Sequence, residues 1–325
     1  MRGSSVRKVN VIQNLIIFTA YIILPLLLNN PYQLRVLNLL VIFTLFTISS
    51  NIIFGHTRQL FLCHGALIGV GAYTSALLPK SLAIPPWVVI PLGALFSACI
   101  GSSISAISSI RRLSIVLMAV LTLSLQIIFG EVIVGFREIT GGDEGLVLRH
   151  DIIQVPSAIN REILYYYLFV LLLLVSIIIY NRIVNSHIGV AFKCIVEDEI
   201  AASSVGVNVV KYKILSAFIG SFLLGLTGGV YAYYNLYISP SLFNLDLYIL
   251  VMLVFGGMGT LAGPLLGAGV FTLVFELLRP MGPMTTLIFG VLLIILFLYF
   301  REGLVAWLRR LPTLHRSISG RTLAK

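Results

Sequence analysis

The stretch from Leu247 to Leu278, LYILVMLVFGGMGTLAGPLLGAGVFTLVFELL, decides the fold. Its single charged residue is Glu276, near its end. A helix that crosses a membrane needs about 20 mostly apolar residues, so this run is too long for one upright helix. Glycine and proline break helices, and both occur in its middle, between Gly256 and Pro264. We therefore predict two short spans that meet at a glycine-rich break.

The composition of the whole chain agrees with a membrane protein. Of its 325 residues, 58% are hydrophobic and 10% are charged, and the mean hydropathy is +1.03. An average soluble domain is about a quarter charged, so a soluble globule could not cover its surface with this composition. Disorder is excluded more firmly still. We predict an all-α, polytopic membrane protein with a single transmembrane domain over residues 1–325.

Further apolar runs on both sides of the break predict the remaining transmembrane helices. Together with the two halves of 247–278 they give about ten spans, or nine if one run is re-entrant. These other runs are Val11–Leu28, Arg35–Phe54, Leu60–Leu78, Pro85–Ser109, Leu113–Phe136, Ile163–Ile183, Tyr212–Tyr237 and Met284–Phe300.

Positive charge sets the predicted orientation in a cell (inner) membrane. The net charge is +10, and the cytoplasmic preference of Lys and Arg explains it better than nucleic-acid binding does. With ten spans, most of the 22 basic residues are cytoplasmic, in the tails 1–10 and 301–325 and in loops such as 184–211. The loop 137–162 is then extracytoplasmic and both termini are cytoplasmic. The basic residues on the outer side are Arg35, Lys80, Arg137, Arg149, Arg161 and Arg279.

The sequence has no motif for catalysis or for a cofactor. It lacks a Gly-Lys dipeptide, and therefore a Walker A loop, and it lacks H-E-x-x-H. The five histidines are scattered, and the three cysteines form no C-x-x-C pair. Glu131 and Glu276 lie toward the ends of their spans, where we expect polar anchors at the membrane interface. We expect that this chain is not an enzyme, with no cofactor and no metal site.

The polar stretch from Asn185 to Val210 contains a candidate helix for a cytoplasmic contact. Three acids precede good helix formers, and acids are favourable at a helix N-terminus. We predict a short amphipathic helix, Glu197–Gly206, with Ile200 and Val205 available to a partner; a solvated connector is the alternative. The candidate coupling residues are Glu197, Asp198, Glu199, Ala201, Ala202 and Gly206.

Small residues in the apolar runs predict close helix contacts. The pairs Gly65/Gly69 and Gly225/Gly229 form small-x-x-x-small patterns, and Gly71 follows in the first of these runs. We assign these five glycines to helix packing.

Two further glycine groups have different predicted tasks. The first group interrupts the helix at the break, so backbone N–H and C=O groups there lack helical partners. Such groups can line a water-filled pathway; tight helix packing is the alternative. The second group predicts tight turns in an exposed extracytoplasmic loop. The break residues are Gly256, Gly257, Gly259, Gly263 and Pro264, and the loop residues are Gly141, Gly142, Asp143 and Glu144.

Several of these blocks together resemble the permeases of bacterial branched-chain amino acid ABC transporters. The stretch from Gly189 to Asn208 is similar to the family's cytoplasmic loop, which contains Glu-Asp-Glu-x-Ala-Ala. Blocks that start at Cys63, Thr140 and Ile238 are also similar, in the family's order. The resemblance covers roughly residues 35–300 and points to the larger permease subunit, which is usually paired with a homologous one.

The resemblance implies an importer assembled from several chains. The partners it implies are a second homologous permease subunit, two cytoplasmic ATPase subunits and an extracytoplasmic solute-binding protein. It also implies that Glu197–Gly206 couples to an ATPase and that branched-chain amino acids are the solute. Departures from the family pattern at 58–64 and at Ser114 leave urea, short amides or another class of amino acid open as the solute. Val196 also departs from the pattern, where the family has an arginine. An ion- or proton-coupled secondary transporter and a membrane-embedded enzyme are the alternatives outside the family.

Overall fold

The computed structural model describes residues 30–82, 84–148 and 160–282, with isolated positions at 25, 152 and between 284 and 306. Nearly all of the predicted first span, most of the predicted last span, the tail 1–10, most of the tail 301–325 and part of the loop 137–162 lie outside the described residues. The described chain is nearly all helical, as the composition predicts.

Helices follow one another through the described chain, and one short strand pair joins two loops. In chain order the elements are α1 (Pro31–Ser50), α2 (His64–Leu82), α3 (Pro86–Ile110), α4 (Ile115–Gly135), α5 (Arg137–Thr140), β1 (Leu146–Val147), α6 (Arg161–Val184), α7 (His187–Glu197), α8 (Glu199–Ser204), α9 (Val209–Asn235), β2 (Tyr237–Ile238), α10 (Asp246–Gly256) and α11 (Ala262–Leu278). A π-helical segment (Asn51–Gly55) continues α1, and 3₁₀ turns lie at Gly142–Glu144, Pro240–Leu245 and Arg279–Met281.

Polar residues fix where the long helices begin. Asn30, Ser114, Asn160 and Asn208 precede α1, α4, α6 and α9, and the side chain of each accepts a hydrogen bond from a backbone N–H two or three residues later. Such caps satisfy amide groups that lack a partner inside the helix. The cap at Asn208 explains why α9 begins earlier than the predicted span at Tyr212.

Six helices of the described chain are long and apolar enough to cross a membrane, so the protein is a multi-pass membrane protein. These helices are Pro31–Gly55, Pro86–Ile110, Ile115–Gly135, Arg161–Val184, Val209–Asn235 and Ala262–Met281. The segment Pro240–Gly256 is apolar but shorter. The number of ten spans remains a prediction.

The packed centre is formed by α2, α3 and α9, which touch through small residues. A Cβ placed on Gly71 of α2 would lie well inside van der Waals distance of the Gly225 carbonyl group of α9. One placed on Gly101 of α3 would collide with the side chain of Ser221. Small residues let helix backbones approach closely where no hydrophobic driving force acts between helices in lipid.

Helix α4 packs much less than its neighbours. It buries Met118, Thr122 and Gln126, while side chains such as Val120 and Ile127 remain exposed. Apolar residues on all sides of a helix are typical of a membrane span. This outward face is therefore available to lipid or to another membrane subunit.

Candidate functional site

Helices α7 and α8 meet at Asp198, within the predicted coupling segment. Asp198 is extended, with φ −156°, which ends α7 at Glu197. Its carboxylate accepts hydrogen bonds from the backbone N–H groups of Ile200 at 2.7 Å and Ala201 at 3.1 Å. The helix that follows is therefore shorter than expected, Glu199–Ser204, and Glu197 belongs to the preceding helix.

The short helix α8 has a buried contact on one side and apolar side chains in solvent on the other. Ala202 is buried, whereas Ile200 is 81% exposed and Val205 is 75% exposed. Gly206 follows with φ +88°, a conformation in which other residues are strained. The exposed side chains of Ile200 and Val205, next to the turn at Gly206, are compatible with the predicted contact to a partner. The contact itself stays a prediction.

Helix α7 packs against the rest of the molecule and holds α8 in place, and the sequence did not predict it as a helix. One face of α7 packs inward, and the opposite face is exposed. The spacing of its apolar residues is a signal for this helix, because they recur every three or four residues along the chain. Its buried residues are Gly189, Ala191, Phe192 and Ile195. An ion pair of 2.6 Å between Lys213 and Glu199 ties α8 to α9.

The glycine-rich break separates α10 from α11. Gly257 and Gly259 have φ values of +115° and +72°, which favour glycine. The two helices approach so closely that a Cβ on Gly256 would collide with the Gly263 carbonyl group. Pro264 lies in the first turn of α11, where its missing N–H costs no helical hydrogen bond. The predicted break residues thus lie together at one sharp turn, and their part in a pathway stays a prediction.

The glycines predicted for packing lie where elements touch. Gly65 and Gly69 of α2 face Phe243 in the turn before α10. Gly229 of α9 faces the side chain of Ser75 in α2, and Gly71 faces Gly225 as described above. At Gly65 and Gly71 an added Cβ would meet backbone atoms of the neighbouring element, whereas at Gly69 and Gly229 it would meet side chains first.

The predicted extracytoplasmic turn is built on glycines with positive φ. Gly141, Gly142 and Gly145 have φ values of +80°, +60° and +74°. Asp143 and Glu144 are exposed. The strand that follows pairs with β2, so the turn is tied to the end of α9.

A polar cleft of about 580 Å³ opens between α4, this turn and the segment before α10. Two carboxylates, those of Glu131 and Asp143, line this cleft. Glu131, which the sequence predicts as a polar anchor near the end of its span, therefore also lies at a cleft. The lining residues are Gln126, Ile127, Gly130, Glu131, Val134, Asp143, Tyr237, Ser239, Pro240, Ser241, Phe243 and Asn244.

The start of α2 forms a buried polar centre that the sequence analysis missed. His64 is fully buried, and its Nε2 lies 2.7 Å from the Ser50 hydroxyl. The Asp246 carboxylate accepts a hydrogen bond of 2.9 Å from the Gly65 N–H. The Gln126 side-chain oxygen accepts one of 2.7 Å from the Ala66 N–H. These groups come from four separate helices. Sequence spacing therefore gave no signal that would bring them together.

Comparison with known proteins gives a consistent result. The family model described as the permease component of branched-chain amino acid transport systems matches residues 32–300. The high-affinity branched-chain amino acid transport system permease protein LivM of Salmonella typhimurium is 27% identical over 299 residues, which are 82% of this chain and 68% of that protein. LivM of Escherichia coli K12 is 26% identical over 302 residues, 83% of this chain and 69% of that protein. No solved structure matches the chain significantly.

The family match covers most of the described helices. Proteins of this kind are transport subunits rather than enzymes, and ATP hydrolysis belongs to other chains of the transporter. The chain belongs to the permease family of branched-chain amino acid transport systems.

Proposed function

We propose that this chain is one permease subunit of an ABC importer and that branched-chain amino acids are its solute. The family match over residues 32–300 carries the proposal. The apolar helices fit a subunit that supplies a path through the membrane, and the lack of a Walker A motif fits energy from partner ATPases.

Uptake by whole cells tests the solute. A strain without this chain should lose uptake of radiolabelled leucine, isoleucine and valine, and expression of the chain with its partners should restore it. Excess urea or acetamide should not compete. Competition by urea without competition by isoleucine would replace the proposed solute by a short amide. Uptake that survives ATP depletion but stops when the proton gradient collapses would indicate a secondary transporter.

The partners we propose are a homologous permease, two ATPase subunits and an extracytoplasmic solute-binding protein. Within this assembly α8 sits in a groove of an ATPase subunit. The exposed Ile200 and Val205 support this assignment, since helix-in-groove contacts concentrate their energy in a few apolar anchors. Burial of one such side chain contributes about 1.5–3 kcal/mol.

Co-purification tests the docking of α8. Ile200→Ser should lower recovery of the ATPases with the permease by about tenfold or more, the equivalent of one lost apolar anchor. Ser203→Ala, on the same helix, is the matched control and should leave recovery unchanged. Normal ATPase recovery and normal uptake with Ile200→Ser would make α8 a connector only.

We propose ten spans, with both termini in the cytoplasm of a cell with an inner membrane. The charge distribution supports this orientation. A reporter fused after Lys325 should report the cytoplasm, and a cysteine at Asp143 in a Cys-free background should react with an impermeant thiol reagent from outside. A periplasmic reporter signal would require an odd number of spans.

The proposed path for the solute includes the turn between α10 and α11. Backbone groups freed from a helix are tolerated at membrane depth where protein or a water-filled cavity satisfies them. Cysteines at Gly257 or Met258 should therefore react with a small water-soluble thiol reagent, and excess isoleucine with its binding protein should slow that reaction. A cysteine at Leu273, exposed on α11, is the control that faces away from the break.

A further inference from the structure

The observation that carries a further inference is a buried amide at the end of α1. Asn51 is completely buried and opens the π-helical segment Asn51–Gly55. An amide without hydrogen-bond partners is costly in an apolar environment. Single π-helical turns within α-helices are rare and occur frequently at functional sites.

Both polar atoms of this amide bind the glycine-rich break. Oδ1 of Asn51 accepts a hydrogen bond of 2.9 Å from the Gly259 N–H, and its Nδ2 donates one of 2.8 Å to the Thr260 carbonyl oxygen. These are backbone groups of the turn between α10 and α11. Gly55 lies one turn further along α1, and a Cβ there would meet the Gly259 nitrogen at 2.8 Å. The absence of a side chain at Gly55 therefore lets the break reach Asn51.

The same amide is connected to the α7–α8 pair through α6. Asn51 Nδ2 also lies 3.4 Å from the Tyr180 hydroxyl, which is 2.8 Å from His56 Nε2. The His56 ring stacks on Phe192 of α7, with centroids 6.2 Å apart and planes at 24°. Phe192 in turn contacts the edge of Tyr212 at the start of α9. Every member of this chain of contacts up to Phe192 is buried.

We propose that Asn51 is a positioning residue for transport, which holds the glycine-rich break in register with the α7–α8 pair. This inference rests on the proposed function, because it assigns a task to the break during transport. Displacement of α7 moves Phe192 against His56 and Tyr180, and the shared hydroxyl passes that displacement to Asn51. The break then moves with α7 rather than independently of it. Packed side chains and hydrogen bonds can carry such coupling between distant parts of a protein. The proposal therefore requires that removal of the Asn51 hydrogen bonds changes both the break and the coupling of transport to ATP hydrolysis.

Two buried amides in the same region provide a matched comparison. Asn51→Leu removes both hydrogen bonds to the break and keeps a similar volume. Gln59 is also buried, but its amide binds the Lys213 carbonyl oxygen, the Thr57 and Ser216 hydroxyl groups and, through Oε1, the Ser105 hydroxyl. Gln59→Leu therefore also removes a buried amide with several hydrogen bonds, none of which is to the break.

The first measurement needs no transport. Hydrogen exchange of the purified chain in detergent should show the Gly259 amide exchanging at least about tenfold faster in Asn51→Leu, because its acceptor is gone. Gln59→Leu should leave that amide within about twofold of the unchanged chain. Equal exchange at Gly259 in all three proteins would overturn the proposal.

The second measurement uses the assembled transporter in proteoliposomes with its binding protein, isoleucine and ATP. The isoleucine moved per ATP hydrolysed should fall at least about tenfold in Asn51→Leu. Gln59→Leu should keep that ratio within about twofold, even if less complex assembles. A parallel loss of uptake and ATP hydrolysis in Asn51→Leu, with the ratio unchanged, would overturn the proposal.

Two controls separate this inference from other failures. Where Asn51→Leu does not assemble, Tyr180→Phe removes the shared hydroxyl but keeps the ring, and the ratio should fall to an intermediate value; an unchanged ratio would overturn the proposal. The unchanged complex reports on the proposed function. If it moves no isoleucine with ATP, the proposed function fails, while the exchange measurement at Gly259 still decides the role of Asn51 in the fold.

Discussion

Two groups of glycines in apolar runs perform different physical tasks in this molecule. Gly71 and Gly225 lie in regular helix, and their lack of a side chain matters because α2 and α9 touch there. Gly257 and Gly259 lie in a turn, and their lack of a side chain matters because of their own φ values. The first group lets two helices pack closely, and the second lets the backbone turn with positive φ values.

This difference determines what each position tolerates. Where a glycine lies at a helix contact, replacing it lowers stability by steric overlap. The size of this loss depends on which atom of the neighbouring helix the new side chain meets, and not on the φ value of the glycine. At a turn with positive φ the cost is conformational, and residues that adopt the left-handed region are tolerated. Substitutions can therefore separate the two groups, and we order them from the largest expected effect to the smallest.

The largest effect is expected for Gly71→Leu at the packed centre. The Cβ alone would overlap the Gly225 backbone, which has no flexible end that could move aside. Overpacking of a core costs about 1–3 kcal/mol, and backbone against backbone is the least accommodating case. We expect little or no folded chain in the membrane, measured as monodisperse protein after detergent extraction. Gly269→Leu, on α11, is the control and should extract normally, because no atom of the described residues lies within 4 Å of a Cβ placed there.

The sequence was sufficient for the class of fold and for the ends of most helices. Apolar length placed five of the long helices within a few residues, because hydrocarbon thickness imposes a length and polar caps mark the ends. A helix ends at Gly256 and the next begins at Ala262, in the stretch where Gly-Gly-Met-Gly gives a strong local signal. That the two helices are halves of one broken span stays a prediction. These features depend on residues that are close together in the chain.

The sequence was insufficient where residues meet from separate elements. His64, Asp246 and Gln126 form a polar centre, and Asn51 reaches the break more than two hundred residues away in the chain. A single sequence has no period that relates such positions. The α7 helix was not predicted for another reason. The acids at 197–199 favour a helix that starts at Glu197, and the segment before them has no comparable start signal, although the buried face of α7 has helical spacing.

The second prediction concerns the backbone of the break. Gly257→Ala introduces a Cβ that would meet Val305 only at ordinary van der Waals distance, so the cost is conformational. Backbone conformations of this sparsely populated kind cost about 1–3 kcal/mol. We expect the variant to insert and extract, with a thermal midpoint several degrees lower by scanning fluorimetry. Normal uptake and an unchanged midpoint would show that the break does not depend on this φ value.

The third prediction separates conformation from space within the break. Gly259 has φ +72°, in the region that asparagine adopts more readily than other residues with side chains. Gly259→Asn should therefore lower the thermal midpoint less than Gly259→Val does, since a β-branched residue is strained there. Equal losses for both variants would place the constraint in space, as at Gly71, and would remove the distinction between the two groups.

The smallest effect is expected for Glu144→Gln, in the predicted extracytoplasmic turn, where an exposed ion pair lies beside glycines with positive φ values. Arg137 and Glu144 lie 2.6 Å apart, but their side chains are 70% and 77% exposed. Exposed pairs of this kind contribute about 0–1 kcal/mol, because solvent screens the charges and two long side chains lose freedom. Glu144→Gln should therefore change the thermal midpoint by about 2 °C or less. Gly141→Ala in the same turn should cost more, since its φ is +80° and a Cβ would collide with the Gly145 carbonyl group. The reverse order would mean that charge, rather than backbone conformation, holds this turn.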